Sequence, residues 1–116
     1  MSMVCAAGWL LRDGTVLAAA SMASSGSSRW RGLLGRDGFD GVLVLPRTRA
    51  VHTIGMRFAI DVAFVDRELR VLDTTTMVPW RIGRPRRCWA VLEAEAGAFE
   101  RWQLRCGDVL ELRPCR

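Results

Sequence analysis

The stretch Val51–Asp66, VHTIGMRFAIDVAFVD, decides how the chain is read. Its second half alternates: Phe58, Ile60, Val62 and Phe64 fall on one side of an extended chain, because successive strand residues point to opposite faces. The intervening positions Ala59, Ala63 and Val65 are also apolar, so the strand is expected to be buried on both faces. Asp61 stands inside this run, where a carboxylate must find donors. Its expected role is a structural anchor that orients a neighbouring loop, with Arg57 or Arg36 as the partner. The first half carries the only histidine, His52, next to Gly55-Met56, a place where backbone can approach closely.

Outward from this strand, short β signals recur. Asp13-Gly14 between Trp9–Leu11 and Thr15–Ala20 predicts a tight hairpin. Val42–Leu45, closed by Pro46, is a short apolar strand, and Arg70–Met77 is a Val- and Thr-rich one. Trp89–Ala94 and Val109–Leu112 complete the series. Arg29–Leu34 places Trp30, Leu33 and Leu34 on one helical face, with Ser27 or Ser28 as N-cap and Gly35 as the stop. Ala98–Leu104 has room for one or two helical turns. With no βαβ alternation, the expected fold is mostly β (α+β): a compact antiparallel, barrel-like sheet of about seven short strands with one or two short helices. At 116 residues, positions 1–116 are expected to form one domain.

Composition narrows function by exclusion. The net charge is +5 with a pI near 10.2, but every one of the 17 basic residues is Arg. Lys, Asn and Tyr, whose codons are AT-rich, are absent, so the arginine count reflects coding bias as well as selection. The arginines are dispersed, with one dense group at Arg81, Arg84, Arg86 and Arg87 in a Gly/Pro loop, and nucleic acid is not the expected partner. Cys5, Cys88, Cys106 and Cys115 contain no C-x-x-C pair, which argues against zinc and thioredoxin-type sites. They are expected to be free thiols in a reducing cytoplasm. No metal or other cofactor is expected. Thr15–Ala23 is apolar, but Met1–Leu11 lacks a positive charge and Arg12-Asp13 interrupts the run, so no export signal is expected. No stretch approaches the ~20 apolar residues of a membrane span.

Three motifs now combine. Arg31-Gly32-Leu33-Leu34-Gly35-Arg36 resembles an RGLMGR element, Ile60–Asp66 an LDIAFID strand, and Val91-Leu92-Glu93 with Gly97 and Gly107-Asp108 a VLE…G…GD pattern. Together, over residues 16–112, they resemble domain-of-unknown-function family 192. The resemblance implies a small β-rich fold with short helices and implies no activity. Many members carry a WMKNT..PLD signature before the strand. Here His52 stands at the Trp position, Gly55-Met56 replaces Asn-Thr and Ala59 replaces Pro.

The candidate chemistry is correspondingly sparse. A non-enzymatic small-molecule-binding or accessory domain is the reading carried forward, with a site lined by His52, Met56, Trp80 and Arg81 and a small anionic or sugar-like ligand. The alternatives are a small hydrolase or transferase using His52 as general base, with Cys88 or Thr53 as nucleophile, and a basic protein-interaction module. Glu93 and Glu95 share a strand face, expected to be solvated or paired with arginine.

Overall fold

The structure, a computed structural model, describes residues 4–23 and 40–114. Among these residues the strands are β1 (Val4–Arg12), β2 (Thr15–Ala23), β3 (Val42–Pro46), β4 (Ile60–Val65), β5 (Val71–Met77), β6 (Ala90–Glu95) and β7 (Glu111–Pro114), with one short helix, α1 (Ala98–Trp102), after β6. The helix expected at 29–34 lies outside the described residues, as do Cys115 and the RGLLGR motif. The Asp13-Gly14 hairpin forms as expected. Both residues take left-handed backbone angles, φ 53° and 80°, and Arg12 pairs directly with Thr15.

The strands make one seven-stranded sheet in the order β5-β4-β6-β3-β2-β1-β7. All neighbours are antiparallel except β2 and β3, which run parallel. The expectation of antiparallel pairing therefore has one exception. Residues 24–41 supply the long connection that a parallel pair requires. The sheet is also open, so "barrel-like" describes it only loosely. Its two ends do approach: Arg70 bridges Val109, Val71 N–H donates to Asp108 O at 2.8 Å, and Leu110 N–H donates to Leu69 O at 3.0 Å. That contact uses the very residues expected to begin the last strand, and β7 starts two positions later.

Alternation splits the core in two. Val42 and Val44 of β3, Ala63 and Val65 of β4, and Leu92 and Ala94 of β6 face a cluster completed by Phe99, Leu104 and Leu110. Leu43, Leu45, Ile60, Val62, Phe64 and Val91 face the opposite cluster, completed by Val51, Met56, Phe58 and Met77. The central strands β3, β4 and β6 are thus covered on both sides. The period-2 reading of Phe58, Ile60, Val62 and Phe64 matches this second face. Of the two expectations for Glu93, solvated or paired with arginine, burial removes the first. The residue is 0% exposed, in register with Leu43 and Val62 of its neighbours. Its position in the middle of the sheet, not its polarity, sets its burial, so the Glu93 face is not a solvated one.

Candidate functional site

The second core face is roofed by two segments that run antiparallel to each other, 49–53 and 81–86. His52 bridges Ile82, Gly83 N–H donates to Val51 O at 2.8 Å, and Arg86 N–H donates to Arg49 O at 2.8 Å. Gly83 permits this approach, since a Cβ there would stand 2.9 Å from Val51 O. Thr53 fastens the two together. Its Oγ1 donates to Val78 O at 2.7 Å and accepts from Arg81 N–H at 2.9 Å. Its N–H donates to Arg81 O at 2.8 Å, and its carbonyl accepts from Met56 N–H at 3.1 Å and Trp80 N–H at 2.9 Å. Thr53 is 0% exposed, which makes these bonds strongly structural.

Between this roof and the outer side of β4 and β5 lies a groove of ≈ 310 Å³. Phe64, Met77 and Val51 form its apolar floor, and Arg81, Arg84 and Arg86 stand along its wall. Arg86 stacks its guanidinium 5.0 Å from the Phe64 ring centre and pairs with Asp73 of β5. Trp80, in a left-handed conformation at φ 66°, is 63% exposed beside Arg81. On the other side of β5 is a second hollow of ≈ 330 Å³, bordered by Asp61, Thr74, Gly97, Phe99 and Glu100. Thr75 and Thr76 border both hollows, so β5 is the ridge between them.

The residues singled out from the sequence are placed unequally. Arg81 lines the groove and Trp80 is its exposed neighbour. His52 is half-buried in the roof, paired with Ile82, its Nδ1 accepting a 3.4 Å bond from Ile54 N–H. Met56, expected on the wall of the site, is 3% exposed inside the second core cluster. Asp61 is 5% exposed and takes three donors: Thr76 Oγ1 at 2.8 Å, Gly97 N–H at 2.9 Å and Phe99 N–H at 3.1 Å. These three partners are a hydroxyl and the amides that open α1; Arg36, one of the two arginines anticipated, lies outside the described residues. Asp73, Thr75 and Thr76 were not singled out in advance. The signal available was the hydroxyl-rich run Asp73–Thr76 next to an arginine-rich loop. Among the described residues no group of three His, Cys, Asp or Glu side chains is placed to hold a metal ion.

Cys88 sits under the same roof, its thiol donating to Thr48 O at 3.3 Å. Burial pushes the thiol above its ordinary value, and nearby Arg49 opposes that only in part. Since the reactive species is the thiolate, Cys88 is expected to react with iodoacetamide at pH 8 more slowly than the exposed Cys106. Time-resolved peptide mapping measures both rates at once. Faster labelling of Cys88 would overturn the assignment. A thiol whose folded pKa is raised stabilises the fold fully below its unfolded value and loses that contribution as pH rises above about 9.

The model of the DUF192 family, described as Uncharacterized ACR, matches residues 9–112. The chain belongs to this family. UPF0127 proteins of Pyrococcus furiosus and Pyrococcus horikoshii are 39% and 37% identical over 75 residues, 60% of this chain and 65% of each relative. The match to these relatives thus spans a little under two thirds of their length. Two crystal structures share the fold. A protein of unknown function from Novosphingobium aromaticivorans DSM 12444 aligns with a TM-score of 0.71 over 90% of this chain and 83% of its own, at 19% identity. A Sinorhizobium meliloti 1021 protein described as a candidate transcription regulator gives 0.73 over 92% of both chains, at 22% identity. At these identities the likeness is one of architecture. No helix among the described residues is long and apolar enough to cross a membrane.

Proposed function

We propose that this DUF192 chain is a non-enzymatic binding domain whose ligand is a small anion, such as a carboxylate or a phosphorylated sugar. The observation that carries the reading is the row Arg81, Arg84 and Arg86 along one apolar-floored groove. Guanidinium groups offer forked donors that fit carboxylate and phosphate oxygens. An internal anion already occupies one of them, because Asp73 pairs with Arg86. Trp80, exposed at the mouth, offers a flat face on which a sugar ring can rest. Met56 lies in the core beneath the roof in this reading and does not touch the ligand, while His52 pairs with the groove-lining Ile82. A reducing cytoplasm suits the free thiols Cys88 and Cys106.

The hydrolase or transferase alternative is weaker for a specific reason. Thr53 spends its hydroxyl on Val78 O and Arg81 N–H, and Cys88 holds its thiol proton against Thr48 O. Both candidate nucleophiles are thus engaged with backbone groups.

Thermal shift and calorimetric titration with inorganic phosphate, citrate and glucose 6-phosphate test the reading, with neutral glucose as control. The three anions are expected to raise Tm, and Arg81→Ala or Arg84→Ala each to weaken binding about tenfold, the equivalent of one exposed charge-assisted contact. Asp73→Asn removes the competing internal carboxylate and is expected to tighten binding a few-fold. Anion binding that both arginine substitutions leave unchanged sinks the proposal.

A further inference from the structure

The edge of the sheet beside this groove has a geometry of its own. β5 ends the sheet, and beyond Val71 nothing among the described residues pairs with its outer side. In register, Thr76 stands opposite Asp61, Thr75 opposite Val62 and Thr74 opposite Ala63. Antiparallel pairing turns the peptide groups of alternate residues toward and away from the neighbouring strand. The N–H of Thr74 donates to Asp73 Oδ1 at 2.9 Å and so belongs to the outward set. Thr76 shares that set by the same alternation. The edge therefore offers main-chain groups, with one of its amides capped by the protein's own carboxylate.

That carboxylate does two things at once. Asp73 accepts from the edge amide through one oxygen and pairs with Arg86 through the other. A carboxylate is thus bound simultaneously to the open edge and to the basic groove. Side chains of a strand laid along β5 would alternate between the two hollows on either side of the ridge. Those entering one hollow meet Arg81, Arg84 and Arg86, and those entering the other meet Thr74 and Glu100.

We infer that the free edge of β5 accepts an extended acidic segment of a partner protein as an added strand, its carboxylates alternating into the arginine groove. This deepens the anion-binding reading and rests on it. A second copy of this chain is the poorer occupant. Pairing two β5 edges brings together two arginine rims on chains that each carry a net charge of +5. The incoming main chain displaces Asp73 from the Thr74 amide, and one ligand carboxylate replaces it on Arg86.

The test uses a capped heptapeptide of alternating Glu and Thr, titrated by calorimetry against the full chain. It is compared with the same peptide N-methylated at alternate amides in the two possible phases, with phosphate, and with an oligo(dT) strand. Main-chain pairing predicts that one methylated phase loses at least about tenfold in affinity while the other binds like the parent. Thr74→Pro removes the outward N–H without touching the β4 ladder and is expected to weaken the peptide but not phosphate. Equal binding of both methylated peptides, or tighter binding of oligo(dT) than of the peptide, overturns strand addition. If phosphate still binds and depends on Arg84 in that case, the small-anion reading survives alone. If neither phosphate nor peptide binds, both fall together.

Discussion

Asp61→Ala is expected to destabilise the chain by about 3–5 kcal/mol. The carboxylate serves Thr76 Oγ1, Gly97 N–H and Phe99 N–H, each within 3.1 Å, at a position 5% exposed. Hydrogen bonds to an ionised acceptor contribute about 1.5–3 kcal/mol each, and a buried donor left without a partner adds its own desolvation cost. The sum is reduced because Thr76 and Gly97 can recover water, whereas Phe99 N–H is buried. Set against a typical total of about 5–15 kcal/mol, the loss is a large share of the fold's stability. It corresponds to a fall in Tm of roughly 12–25 °C for a domain of this size. Asp61→Asn keeps one acceptor oxygen but turns an amide donor toward the other partners, so it is expected to recover about half. Thermal and urea melts of the three proteins measure this. A loss below about 1 kcal/mol for the alanine variant would show that α1 is held by other contacts.

The same residue shows what a reader of the sequence can reach. That Asp61 needed donors followed from its apolar neighbours on both sides. Which donors it found did not, because Gly97 and Phe99 lie 36 and 38 residues away and come from the backbone. Local chemistry was legible in the same degree elsewhere. Asp13-Gly14 announced its turn because two consecutive left-handed residues suit that pair. The two-sided burial of Ile60–Val65 followed from the absence of a polar face. Long-range order was less accessible. The parallel pairing of β2 with β3 depends on a connection whose hydrophobic pattern resembles a short helix and nothing more. Val109 and Leu110 read as strand because they are extended and apolar, yet they pair across to Leu69 and Arg70 before β7 begins. Met56 drew attention as an unusual residue beside His52, and the fold uses it as core filler. The groove was half legible. Arg81 and Trp80 stood out by type, but the opposite wall, Thr75 and Thr76, became part of a site only through the position of β5 at the sheet edge.

Thr53→Val is the substitution expected to separate scaffold from ligand contact. The two side chains have nearly the same shape, so the change removes a hydroxyl and creates little cavity. It leaves Val78 O without its 2.7 Å donor and Arg81 N–H without its 2.9 Å acceptor, at a site from which water is excluded. Such orphaned groups cost about 1–3 kcal/mol each, and a net loss of about 2–4 kcal/mol is expected. The bonds from Thr53 N–H to Arg81 O and from Trp80 N–H to Thr53 O survive, so the roof stays attached but its register at Arg81 loosens. Anion binding is therefore expected to weaken several-fold, although Thr53 is completely buried and meets no ligand. Thr53→Ser decides between this account and simple packing. Serine keeps the hydroxyl and loses the methyl, so it is expected to lose some stability to the missing methyl while holding anion affinity near that of the parent. Calorimetric titration with phosphate, run beside urea melts, reads both quantities for all three proteins. If the valine and serine variants bind equally well, the hydroxyl does not set the arginine wall, and the groove is positioned by the strands beneath it. If valine alone fails to bind while serine binds normally, one buried hydroxyl connects the His52–Met56 turn to the only residue of the original candidate set that lines the groove, Arg81.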